Sequence, residues 1–299
     1  MKNKKGLVAA ILAVVVIVGI IVGALVVKSL SPRKVIRTVS GPNIHVEELS
    51  FYDGLEKIYG RIYKPQDTLG RKPVLICCSG LATPCESWDE LCQAVAKKGI
   101  VAYAFDARGG LKEGHSSGNY LDMTVTSVRK DLEKVLKNIR SEEFTDKDHV
   151  YLIGHSQGAL VAAMVGSGYR KEVAGMVLLA PAFNLPDVSI EMYPRKRDIP
   201  DSTFFAGICY LGRDWFLDAA GLKPYKWLDR YDKDVLIIHG RNDELVPISY
   251  SEKAAATFKN AELVAMPGTG HAFTGSSGSS MRRQVIAWLE KELSKDGTL

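Results

Sequence analysis

The chain has 299 residues, 46% hydrophobic and 24% charged, which suits one domain of roughly 250 residues plus an appendage. Its formal charge of +5 is concentrated at one end: residues 1–30 hold four lysines and no acid, so the remainder carries 35 basic against 34 acidic residues. Nothing in that balance points to a nucleic-acid partner.

In chain order, Lys2, Lys4 and Lys5 come first, followed by an uncharged run from Gly6 to Val27. As a helix this run would reach about 33 Å, enough to span a bilayer core. A cleaved signal peptide is the alternative, but its apolar core is normally shorter and no clear Ala-x-Ala site follows. Residues 1–30 are therefore expected to form a retained, single-pass anchor in the cell membrane. Lys28, Arg33, Lys34 and Arg37 follow the run and nearly balance the positive-inside comparison. The short tail favours an inside N-terminus, with the rest of the chain extracytoplasmic. No lipobox-like cysteine lies near. Residues 31–43 read as a basic linker.

A hairpin is expected next, from Ile44 to Phe51 and Lys57 to Tyr63, turning at Asp53-Gly54. From Val74 onward strands and helices alternate. Strands are predicted over 74–78, 101–105, 150–154, 174–180, 235–239 and 262–266. Helices are predicted over 86–98, 124–140, 157–168, 249–258 and 279–293. This is the pattern of a mostly parallel sheet with helices on both faces. No internal repeat is visible. About 50 residues, 184–234, interrupt the alternation. They are rich in aromatics, including Tyr193, Phe204, Phe205, Tyr210, Trp215 and Phe216. A long insertion between core strands reads as a lid over a functional site; the alternative is a satellite helical pair that only buries itself.

Gly154-His155-Ser156-Gln157-Gly158 follows the apolar run Val150-Tyr151-Leu152-Ile153 and precedes Ala159 to Val165. That is a strand, a Gly-x-Ser-x-Gly turn and a helix. Such a turn lifts a serine hydroxyl to the top of a sheet, and the small residues let strand and helix approach closely. Ser156 is the candidate nucleophile. A second match, Gly114-His115-Ser116-Ser117-Gly118, has neither an apolar strand before it nor an apolar helix after it, and reads as a polar loop.

A serine needs a base, and the base needs an orienting carboxylate. Asp243 lies just past the strand 235–239, with Glu244 beside it as a less favoured alternative. His271 lies in Gly268-Thr269-Gly270-His271, just past the strand 262–266. The order Ser156, Asp243, His271 with each residue beyond a strand end is far more specific than any one of them. Of the remaining histidines, His115 is the competitor; His45, His149, His155 and His239 fit less well. Two backbone donors are needed for an oxyanion. Gln157 N–H follows the nucleophile, and Leu81 N–H lies in the loop Ser79 to Pro84 after the strand 74–78. No metal and no organic cofactor are expected. The five cysteines show no metal-ligand spacing; a Cys85–Cys92 disulfide is allowed but not required.

With these residues assembled, the chain resembles the α/β-hydrolase superfamily over about 44–299. The serine turn, Gly240-Arg241-Asn242-Asp243-Glu244-Leu245-Val246-Pro247 and Gly268-Thr269-Gly270-His271 carry the resemblance. Within it the chain is similar to the cinnamoyl/feruloyl-esterase and serine aminopeptidase-like branch. Asp106-Ala107-Arg108-Gly109 with Gly114 to Gly118, and Tyr120 to Val125, carry that narrower likeness. Two features depart from it: the loop 106–118 is about three residues longer, and Ser79-Gly80-Leu81 replaces the usual His-Gly-aromatic. The resemblance implies a serine hydrolase; the aromatic insertion and the expected membrane anchor point to carboxylic acyl or aryl esters as substrates, lipids near a bilayer included. An aminopeptidase would instead need acids on the insertion, such as Asp187, Glu191, Asp198 and Asp201, to pair with a substrate amine. A monoacylglycerol-type lipase and a non-catalytic, hydrolase-like binding module are compatible with the same pattern.

Overall fold

A computed structural model of the chain describes residues 44–67, 69–295 and 297, all within one compact unit. The expected anchor over 1–30 and the linker over 31–43 lie outside the described residues. Among the described residues, no helix is long and apolar enough to cross a membrane.

The first strand, β1 (Ile44–Glu48), pairs antiparallel with β4 (Gly60–Pro65), and a small ladder of β2 (Phe51–Asp53) and β3 (Glu56–Ile58) is nested between them. The expected hairpin is therefore two ladders, and the Asp53-Gly54 turn closes only the inner one. The main strands follow as β5 (Lys72–Cys78), β6 (Val101–Phe105), β7 (Thr145–His155) and β8 (Gly175–Leu179). Two more strands, β9 (Ser202–Phe205) and β10 (Cys209–Gly212), stand apart as a hairpin, before β11 (Val235–Gly240) and β12 (Ala261–Met266). The main sheet has eight strands in the order β1-β4-β6-β5-β7-β8-β11-β12. From β6 across to β12 every pairing is parallel.

The helices around it are α1 (Asp89–Ala96), α2 (Val125–Ser141), α3 (Gln157–Gly168), α4 (Leu185–Met192), α5 (Arg213–Gly221), α6 (Ser249–Thr257) and α7 (Gly275–Ser294). A 3-10 turn at Cys85–Trp88 takes the start of the first predicted helix. Alternate side chains of β5 point to opposite faces of the sheet. Val74, Ile76 and Cys78 pack in one core with Leu132 and Leu136 of α2 and Leu160 of α3. Leu75 and Cys77 pack in the other with Leu91 and Val95 of α1 and Val285 and Leu289 of α7. Burial on both faces explains why these strands are continuously apolar rather than alternating.

The insertion is not purely helical. It holds α4 and α5 but also the β9–β10 hairpin. Ala206 and Gly207 both have positive φ, 51° and 70°, and Ile208 N–H donates to the Phe205 carbonyl at 2.9 Å. Two left-handed residues match the twist of paired strands, and the flanking Thr203, Phe204, Phe205 and Tyr210 favour extended backbone. The Cys85–Cys92 disulfide does not form; all five thiols are free. Cys92 faces the sheet, its Sγ 3.7 Å from that of Cys77, while Cys85 sits on the preceding turn.

The strand register sets up the site. Cys78 of β5 lies opposite Gly154 of β7, and Leu179 of β8 lies opposite His155. The loops after β5, β7, β8, β11 and β12 therefore open on one edge of the sheet, where α/β sheets place ligands.

Candidate active site

At the end of β7 the chain reverses into α3 through Ser156, whose φ of 55° and ψ of −122° lie outside the basins open to most side chains. Such strain costs on the order of 1–3 kcal/mol and persists where neighbours over-determine it. Here Ser156 N–H donates to Leu179 O at 2.9 Å, and the Ser156 carbonyl accepts from Ala159, Leu160 and Ala182 N–H. The flanking glycines are required by contact. A Cβ on Gly154 would lie 2.3 Å from Gly158 O, and one on Gly158 would lie 2.2 Å from Cys78 O.

The three residues picked from the sequence meet. His271 Nε2 is 2.9 Å from Ser156 Oγ, and His271 Nδ1 is 2.8 Å from Asp243 Oδ2. An ionised carboxylate only accepts, so Nδ1 carries the proton and Nε2 accepts from the serine hydroxyl. Asp243 is buried. Its Oδ1 accepts from Leu245 and Val246 N–H, each at 2.9 Å. Burial alone would raise the Asp243 carboxyl. Hydrogen bonds from His239, His271 and Val246 outweigh that and hold it well below the usual carboxylate range. Glu244, the alternative, is exposed and lines the cavity instead.

Two histidines set aside from the sequence belong to this network. His155 Nε2 donates to the His271 carbonyl at 3.0 Å, tying the His271 loop to the serine turn. Burial, reinforced by the nearby His271 ring, pushes the His155 imidazole down to about 4, so it stays neutral beside His271. His239, fully buried, approaches Asp243 Oδ2 at 3.0 Å. Only the i, i+4 spacing of His239 and Asp243 across the end of a strand hinted at it.

Gln157 and Leu81, whose N–H groups are expected to receive an oxyanion, both line the cavity at Ser156. Gln157 opens α3, so its N–H has no intrahelical acceptor. Leu81 lines the cavity beside Ser156. Among the described residues neither N–H is given to a protein acceptor. The Gln157 side chain is engaged elsewhere: its Oε1 accepts from Trp215 Nε1 at 2.8 Å, joining the serine turn to α5 of the insertion.

Ser156 and His271 open on a cavity of about 370 Å³. Leu185, Val188 and Met192 of α4, with Phe205 and Ile208 of the hairpin, form its apolar wall. Asn184 also lines it, and donates through Nδ2 to Leu245 O at 2.9 Å.

The second Gly-x-Ser-x-Gly stretch is a clasp. Ser116 Oγ accepts from Tyr59 N–H and donates to Asp106 O, and Ser117 Oγ accepts from Lys57 N–H. The His115 ring packs on that of Tyr59, centroids 4.6 Å apart and tilted by 43°, and is not among the residues lining the cavity at Ser156. Among the described residues, Cys85, Glu86 and Asp106 bring donor atoms within 4.8 Å of one another. Their internal hydrogen bonds account for the grouping, for Cys85 N–H donates to Asp106 Oδ1 and Cys85 Sγ to Glu86.

A strained serine on a strand–helix turn, a histidine and a buried aspartate beyond later strands, and a parallel sheet beneath them define a class of serine hydrolase. Comparison with known proteins agrees. Residues 70–198 match the family described as serine aminopeptidase, S33, and residues 212–274 match the alpha/beta hydrolase fold family. An uncharacterized protein of Mycobacterium tuberculosis is 26% identical over 71% of this chain and 67% of its own length. Monoglyceride lipase of Rattus norvegicus is also 26% identical, over 50% of this chain and 47% of the lipase. Est1E of Butyrivibrio proteoclasticus, solved with ferulic acid bound, shares the fold with a TM-score of 0.75 at 21% identity, covering 82% of this chain and 99% of that one. The chain belongs to the α/β-hydrolase superfamily, among its serine hydrolases.

Proposed function

We propose that the protein hydrolyses carboxylic esters of acyl or aryl acids through Ser156, His271 and Asp243. Ser156 Oγ attacks the acyl carbon as its proton passes to His271 Nε2. Asp243 keeps His271 in the Nδ1–H tautomer and stabilises the imidazolium. Gln157 and Leu81 N–H receive the oxyanion. His271 then protonates the leaving alkoxide, and the acyl group stays on Ser156. A water that gives its proton to the same Nε2 attacks the acyl-enzyme, and Nε2 returns that proton to Ser156 Oγ as the acyl–Oγ bond breaks and the acid leaves. The observation that carries this reading is the unbroken chain from Ser156 through His271 to Asp243, at 2.9 and 2.8 Å, opening on an apolar cavity.

Ester cleavage is favoured over aminopeptidase action by the cavity wall. The insertion's acids Asp187, Glu191, Asp198 and Asp201 are not among its lining residues; Asp187 accepts from Tyr250 and Asp198 from Arg195, and the acid that does line it, Glu244, adjoins Asp243 outside the insertion. Residues 184–234 serve as the lid of the site. Residues 6–27 tether the enzyme in the cell membrane with its active site outside, where similarity to a monoglyceride lipase makes lipid esters suitable substrates.

The test is a turnover screen of the purified protein on short p-nitrophenyl esters against aminoacyl p-nitroanilides. Ester hydrolysis is expected, falling by at least about 10³-fold in Ser156→Ala. Exclusive cleavage of the anilides would overturn the proposal.

A further inference from the structure

His239 is the penultimate residue of β11, is fully buried, and touches three groups on two segments, α6 and the loop after β11. Its Nδ1 is 2.6 Å from Ser251 Oγ on α6. Its Nε2 is 2.9 Å from the Val246 carbonyl and 3.0 Å from Asp243 Oδ2. Both neighbours of Nε2 are acceptors, so Nε2 carries the proton and Nδ1 accepts from the Ser251 hydroxyl. Asp243 Oδ2 thus accepts the His271 N–H and shares the His239 Nε2–H with the Val246 carbonyl. The Leu245 and Val246 N–H groups occupy Oδ1. Three hydrogen bonds and the shared His239 contact brace the carboxylate against rotating away from His271.

We infer that His239 is a positioning residue for the reaction: its Nε2–H, braced by Ser251, holds the Asp243 carboxylate aimed at His271. This rests on the hydrolase reading above, in which Asp243 orients His271. His239 touches no reacting atom, and its effect passes through Asp243. The titratable groups around that carboxylate are His239, His271 and His155, with Glu244 next to it in the chain. His239 is also the largest of the hydrogen-bond influences that keep Asp243 charged.

Side-chain length separates this role from simple core filling. In His239→Gln the amide N–H reaches the place of Nε2, whereas in His239→Asn it reaches only the place of Nδ1. His239→Phe keeps the ring and removes both polar atoms. Ester kinetics are measured for all three and for Ser251→Ala, which leaves His239 in place. The downfield proton resonance of His271 Nδ1–H is recorded alongside, because it reports the bond to Asp243 whether or not any ester is turned over.

His239→Phe and His239→Asn are expected to lose about 10- to 100-fold in kcat with KM within about twofold, the worth of one hydrogen bond to a charged group. His239→Gln is expected to recover most of that loss. The His271 resonance should move in Phe and Asn and stay near its wild-type position in Gln. Equal kinetics and an unmoved resonance in Phe, or equal losses in Gln and Asn, would overturn the inference. If His239→Phe does not fold, Ser251→Ala decides: a shifted resonance supports the role and an unshifted one refutes it. A wild-type protein inert toward every ester would fail the hydrolase reading, while the resonance still judges His239.

Discussion

Gly158→Ala places one methyl group where the strand–helix approach is tightest. The new Cβ would lie 2.2 Å from Cys78 O and 2.4 Å from Ser79 O, both backbone atoms at the end of β5. That strand is held between β6 and β7, so α3 has to lift instead. Overpacking of this kind costs about 1–3 kcal/mol, and more where backbone rather than side chain must yield. Alanine returns about 1 kcal/mol of helix propensity over glycine. A net loss of about 2 kcal/mol is expected, seen as a fall of roughly 1 M in the urea midpoint. Lifting α3 also displaces Gln157 N–H and Ser156 Oγ, so reaction with a fluorophosphonate should slow by more than the stability loss explains. Gly168→Ala is the control. It lies at the end of the same helix with nothing within 4 Å of its added Cβ, and should be neutral or stabilising by up to about 1 kcal/mol. A Gly158→Ala protein with the wild-type midpoint and labelling rate would refute the argument that the glycines are there for close approach.

Asp243→Asn leaves the shape but sets an amide against His271 and His239. His271 should then favour the Nε2–H tautomer, which cannot accept the serine proton, and kcat for ester hydrolysis should fall about 10⁴-fold; a loss under tenfold would count against the orienting role. His155 titrates near 6.5 outside the fold and at about 4 within it. The unfolded chain therefore binds the proton more readily between those values. Stability is full above pH 6.5 and is lost as pH falls toward 4, by up to about 3 kcal/mol. His155→Gln should flatten that slope in urea unfolding at a series of pH values; parallel slopes would exclude His155 as its source. Trp215→Phe should cost about 1–3 kcal/mol, because it leaves the buried Gln157 Oε1 without its donor. An unchanged melting temperature would show that the bond does not link the insertion to the serine turn.

The parallel sheet is legible in the sequence because both its faces are covered, which makes its strands continuous apolar runs. Ser156 stands out from Ser116 for a related reason: a serine turn must follow a buried strand and open a buried helix, and Leu111-Lys112-Glu113 is no such strand. Asp243 and His271 are legible as polar groups just beyond strand ends. His155 and His239 are not. The partner of His155, the His271 carbonyl, comes from a segment brought close by the register of β7, β8, β11 and β12; the partner of His239 is four residues on, where only the backward turn of the loop after β11 brings the two together. The hairpin within the insertion hides because its turn uses Ala206, not the usual Asn or Gly, at a left-handed position. The cysteines also depend on placement: Cys92 on α1 faces Cys77 of β5, and sequence separation alone suggests Cys85.

The central claim is that Ser156 is activated by His271. A fluorophosphonate probe tests it on the wild-type protein, read by intact mass and peptide mapping, with Ser156→Ala and His271→Ala in parallel. One adduct is expected on the peptide holding Ser156, absent from Ser156→Ala and strongly slowed in His271→Ala. Labelling that survives Ser156→Ala, or a folded wild-type protein that takes up no probe, would contradict it.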